Sequence, residues 1–107
     1  MLKHYLAITT LPNLAEAKKL ARALVEEKLV ACVNILPGAT SLYWWEGKIQ
    51  EEGECLLLMK TYQTKLAALK TTLPQKHPYS CPELVFLPID EGHPPYLQWI
   101  EESVTKG

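Results

Sequence analysis

Residues 29–61 read LVACVNILPGATSLYWWEGKIQEEGECLLLMKT, and the fold turns on how this stretch is laid out. Leu29 to Leu36 carries Val30, Val33 and Ile35, a β-branched run that predicts a strand. Pro37-Gly38 interrupts it as a bend rather than an end, because proline is tolerated at a sheet edge or bulge. Extended character resumes from Thr40 to Trp45. Glu46-Gly47 then predicts a tight turn, with glycine supplying the positive φ that hairpins favour. Lys48 to Thr61 returns as a partner strand, polar near the turn (Gln50, Glu51, Glu52) and apolar further on (Leu56 to Met59). Gly53 is expected to mark a second bulge. Each arm is about twice the usual five or six residues.

Working outward, Leu2 to Thr10 reads as a buried strand. Asn13 suits a helix N-cap, with Glu16 three residues on as in a capping box. Leu14, Ala17, Ala21, Leu24 and Val25 then recur at helical spacing, so Pro12 to Lys28 is expected to hold an amphipathic helix. After the hairpin, Thr64 is a candidate cap for a second helix lined by Leu66, Leu69 and Leu73. Pro74 is expected to end or kink it. Glu83 to Ile89 predicts the last strand. Pro94 and Pro95 can open a terminal helix carrying Tyr96, Leu97, Trp99 and Ile100. The order β-α-β-β-α-β plus a terminal helix is the ferredoxin-like, split βαβ pattern of an α+β fold. Right-handed crossovers place both long helices on one face of a four-stranded antiparallel sheet. Nothing divides the 107 residues, so 1–107 is read as a single domain.

Composition narrows the function. A net charge of −1 gives no general attraction to nucleic acid or anionic membrane. No apolar run approaches the ~20 residues of a membrane span, and the opening residues lack a signal-peptide pattern. The expected address is cytoplasmic. Cys32, Cys55 and Cys81 are widely spaced and odd in number, which fits reduced, buried thiols better than a disulfide framework. No phosphate loop, His-Glu-x-x-His motif or Ser-His-Asp arrangement is present, so no catalytic residue is assigned and no enzyme is expected.

Leu42-Tyr43-Trp44-Trp45 places large apolar groups at successive strand positions, so they point to both faces. One face can rest on the domain itself. The other needs a second chain or the terminal helix with Trp99, and self-association is the expectation. His77 is the candidate metal ligand, an imidazole suited to copper, zinc or nickel in a loop between helix and strand. The alternative is a histidine hydrogen-bonded to backbone. His4 and His93 are isolated. Glu51, Glu52 and Glu54 form an acidic cluster that could attract cations, though a solvated edge is the commoner meaning of such charges, and Cys32 could serve as a soft ligand but falls in an apolar strand and reads as a core thiol.

Several strings resemble one family across nearly the whole chain: Pro37 to Tyr43, Trp45 to Lys48, Lys60-Thr61, His77-Pro78-Tyr79, Pro82-Glu83 and Tyr96 to Trp99, with Ala21 to Cys32 upstream. Together they are similar to the CutA family of divalent-cation tolerance proteins. The resemblance implies a ferredoxin-like homotrimer built through its long hairpins, a cytoplasmic location in bacteria, a link to divalent metal tolerance, and copper binding in some members. It attaches no firm reaction. Tyr43, Trp45, Lys60, Tyr79 and Glu83, in the matching strings, are candidate lining residues of a cleft between subunits; the alternative makes Lys60 and Glu83 a structural ion pair and the aromatics trimer packing. The resemblance also implies an assembly similar to PII signalling proteins, which bind small ligands between subunits. Copper-binding members place a cysteine near the end of the first strand and adjacent histidines before the Pro-Tyr. Here those places hold Thr9 and Lys76, and His77 alone remains, so weak copper binding is expected. A rival reading makes His77, Glu83 and Lys60 an enzymatic cleft.

Overall fold

The structure, a computed structural model, describes residues 1–106. Its central strand is β1 (His4–Leu11). β1 bonds antiparallel to β3 (Lys48–Tyr62) on one side and β4 (Val85–Ile89) on the other. β2 (Cys32–Trp45) pairs antiparallel with β3 and completes the order β2-β3-β1-β4. This is the expected four-stranded antiparallel sheet with its long β2–β3 hairpin.

The period of two along each strand separates two faces. Ala7, Thr9 and Leu11 on β1 stand opposite Met59, Leu57 and Cys55 on β3, and all six are buried. On them lie α1 (Leu14–Glu26), through Ala17, Leu20, Ala21 and Leu24, and α2 (Leu66–Lys76), through Leu69 and Leu73. α1 and α2 thus share one face. The alternate positions, Leu6, Ile8, Leu56 and Leu58 with Val85 and Leu87, form the other face. α3 (Pro94–Thr105) crosses only one end of it, burying Ile100 and Val104 and setting the Tyr96 hydroxyl 3.7 Å from Cys32 Sγ.

Local chemistry accounts for the boundaries. The side chain of Asn13 accepts the Glu16 N–H at 2.9 Å and starts α1. The helix ends in a Schellman motif: Lys28 N–H donates to Val25 and Leu29 N–H to Leu24, both at 3.0 Å. Lys28 takes the left-handed position at φ 58°, where glycine is usual. Leu29 then joins Leu24 in the core, and its carbonyl accepts the buried Thr61 hydroxyl at 2.7 Å. At the hairpin tip, Glu46 (φ 52°) and Gly47 (φ 76°) both take positive φ between the paired Trp45 and Lys48, as a primed two-residue turn requires.

Several expectations shift. β1 begins at His4 rather than Leu2, β2 at Cys32 rather than Leu29, and β4 at Val85 rather than Glu83. Residues 29–31 instead serve the exit from α1. Thr64 caps nothing; it sits in a single 3-10 turn, Gln63–Lys65, that leads into α2. Pro74 does not end α2, which runs two residues further to Lys76. A proline removes one donor near a helix end without stopping the last turn. The register shift falls between Leu36 and Ala39, at Pro37-Gly38, and Gly53 pairs regularly with Thr40. The cysteines are free, but only Cys55 is buried; Cys32 is half-buried and Cys81 exposed.

Candidate functional site

Between α2 and β4 the chain turns through His77-Pro78-Tyr79, against the end of β1 and the root of the long hairpin. His77 is 8% exposed. Its Nδ1 accepts the Tyr79 N–H at 3.1 Å, so the hydrogen of the neutral ring lies on Nε2, which donates to the Thr10 carbonyl at 2.8 Å. Burial, the largest influence, pulls the imidazole below its ordinary 6.5, while the Thr10 bond and the charges of Glu54 and Glu16 pull it up. A metal ion needs a ring lone pair, and the one this tautomer offers is occupied by Tyr79. Among the described residues no group of three or more His, Cys, Asp or Glu side chains is placed to hold a metal ion.

Thr9 and Lys76 also find other roles. Thr9 lies fully buried on the helix-bearing face, its hydroxyl without a partner among the described residues. Lys76 Nζ stands 3.3 Å from a Glu27 carboxylate oxygen.

Tyr79 points the loop toward β3. Its hydroxyl donates to Glu54 Oε2 at 2.7 Å. Burial first, and this bond second, hold the phenol well above its usual pKa. Glu54 is only 9% exposed. The expectation that it belongs to a solvated acidic edge is therefore wrong, whereas Glu51 and Glu52 are exposed. At the irregularity of Pro37-Gly38 the pairing of β2 skips Cys55, and it resumes with Ala39 opposite Glu54.

Beside it lies a cleft of about 680 Å³. Tyr43 and Trp45 of the arm, Glu54 of β3, and Tyr79, Cys81 and Glu83 from the segment between α2 and β4 are among the residues that line it. Thr10 and Ser41 add hydroxyls. Four of the five expected cleft residues are thus together in one chain. Lys60 is not: its ammonium hydrogen-bonds the Asn34 side chain, at the far end of the hairpin root beside Cys32. His77 stands behind Tyr79 rather than in the walls. The triad His77, Glu83 and Lys60 is not assembled within the subunit. Sequence reasoning missed Thr10 and Ser41 and grouped Glu54 with its exposed neighbours; the available signal was that Glu54 borders an apolar run opposite a bend.

The described helices include none long and apolar enough to cross a membrane.

Comparison with known proteins gives one answer. Residues 5–103 match the family described as CutA1 divalent ion tolerance protein. A Divalent-cation tolerance protein CutA from Thermus thermophilus is 48% identical over 96 residues, which are 90% of this chain and 93% of that protein. A Protein CutA homolog from Xenopus laevis is 48% identical over 100 residues, and Protein CutA of Homo sapiens 45% over 96. The chain spans 66% of the frog protein's length and 54% of the human one's, against 94% and 90% of its own. Among solved structures, CutA1 from Oryza sativa superposes with a TM-score of 0.93 at 42% identity, covering 98% of this chain and 96% of that one.

Proposed function

The chain belongs to the CutA1 divalent ion tolerance protein family, and from that premise we propose that it works as a cytoplasmic, non-catalytic homotrimer in the response to divalent metal ions. The observation that carries the assembly is the hairpin arm. Trp44 is 72% exposed in the single chain, and Leu42, Trp45 and Ile49 are exposed beside it. α3 does not cover them; Trp99 stacks on Tyr96 instead. The free sheet face with Val85 and Leu87 is a second uncovered apolar surface. Apolar patches of this kind on a soluble domain mark contact with another chain.

Copper is the candidate ion and His77 its candidate ligand. Binding there is weak in this reading, because the ion must displace the Tyr79 N–H from Nδ1 and finds threonine and lysine where Cys and His would help. Light scattering after size exclusion is expected to give three chain masses. Calorimetry with copper and zinc is expected to show weak binding that His77→Ala abolishes. A concentration-independent monomer, or tight copper binding indifferent to His77→Ala, overturns the reading.

The cleft favours a second reading: a PII-like module that binds a small ligand. Its volume lies within the ~300–1,000 Å³ of ligand pockets, and its walls combine aromatic rings with a few polar groups. A nucleotide and amine panel in the same calorimetry tests it.

A further inference from the structure

The charge in the cleft is one-sided. Glu54 and Glu83 line it, and no Lys, Arg or His does. Glu54 is nine-tenths buried, and none of the ion pairs among the described residues includes it. Its side-chain partner among the described residues is the Tyr79 hydroxyl, which uses Oε2; Oε1 makes no hydrogen bond and is not among the side-chain atoms closed off from solvent, so it is free to meet a ligand. His77, on whose ring the charge of Glu54 acts, is spent: its ring hydrogen goes to Thr10 and its lone pair to Tyr79.

A metal ion is a poor complement to this charge. The carboxylates number two, no cluster of three ligating side chains is formed among the described residues, and the other lining side chains combine the rings of Tyr43, Trp45 and Tyr79 with Leu42, Pro78 and a few polar groups. A cleft of about 680 Å³ also far exceeds a bare ion. The rings of Tyr43, Trp45 and Tyr79 beside two carboxylates instead suit a cation carried on an organic body, held by the carboxylate and by attraction to aromatic rings.

We propose that this cleft binds an organic cation, an ammonium group on an apolar or aromatic body, with the cation at Glu54 and the body against Tyr43 and Trp45. The inference rests on reading the cleft as a small-ligand site. It adds the charge and class of the ligand.

Benzylamine, benzyl alcohol and benzoate share a ring and differ in charge. Each is titrated into the full chain in its native assembly, by calorimetry and by the shift of the Trp45 indole N–H resonance. Benzylamine is expected to bind at least about tenfold more tightly than benzyl alcohol, with benzoate weakest. Added salt is expected to weaken benzylamine alone. Glu54→Gln should remove most of the benzylamine preference and leave benzyl alcohol unchanged. Glu83→Gln, at an exposed position, should reduce it in part and serves if Glu54→Gln does not fold. Equal binding of the amine and the alcohol overturns the cation while keeping a ligand cleft. Binding of none of the three overturns both readings, and benzylamine binding unaffected by either substitution overturns the placement.

Discussion

The Nε2–H of His77 meets the backbone carbonyl of Thr10 at 2.8 Å and ties the loop after α2 to the end of β1. The neighbouring bond, from the Tyr79 N–H to Nδ1, depends on a neutral ring. A second ring proton would sit on Nδ1 and face the Tyr79 N–H, donor against donor.

Stability is accordingly expected to fall with acid. The folded pKa of His77 lies below its unfolded value of 6.5, so the unfolded chain binds more protons between the two. Its contribution is complete above about 6.5 and lost as pH drops below that toward the lower folded value. Thermal melts between pH 7.5 and 5 should show a slope that His77→Asn flattens; parallel curves would contradict it.

Tyr79→Phe removes the donor to Glu54 and leaves a nine-tenths buried acid alone. A loss of about 1–3 kcal/mol is expected in denaturant unfolding, since a buried group bereft of its partner costs its desolvation. Tyr79→Phe combined with Glu54→Gln should cost less than the sum of the two.

Lys28→Gly acts in the other direction. Lysine at φ 58° carries the strain of the left-handed region, which glycine does not. Part of the gain is offset by glycine's freer unfolded chain, leaving about 0.5–1 kcal/mol of stabilisation. Equal or lower stability would assign the difference to the contact of Lys28 Nζ with the Lys106 carbonyl.

Trp44→Ala separates assembly from fold. The side chain is largely exposed in the single chain, so the subunit should keep its circular dichroism. A tryptophan at the centre of an interface commonly contributes about 2 kcal/mol or more. Dissociation of the oligomer on dilution should therefore shift to higher protein concentration, read by analytical ultracentrifugation. An unchanged dissociation curve would place Trp44 outside the contact.

The strands and long helices were legible because burial writes its period into sequence. Ala17, Ala21 and Leu24 recur at helical spacing, and Cys55, Leu57 and Met59 alternate against a sheet. Residues 29–31 misled because the Schellman exit needs an apolar Leu29 where a strand would also put one. The site was legible in part. Tyr43, Trp45, Tyr79 and Glu83 come together, but Glu54 looks like its solvated neighbours Glu51 and Glu52 until the bend opposite it is known. Lys60 is drawn away by Asn34, a pairing set by register that no local pattern reveals.

β1 lies at the centre of the sheet although it is the first strand made. His4 pairs with Tyr62 on one side and Ile89 on the other, both far along the sequence from it. The β2–β3 hairpin, by contrast, can zip from Glu46-Gly47 as soon as it leaves the ribosome. During synthesis β1 must wait for β3 and then present a bare edge until β4 arrives. Contacts of such long sequence separation slow folding. The heart of this domain therefore closes only after most of the chain has been made.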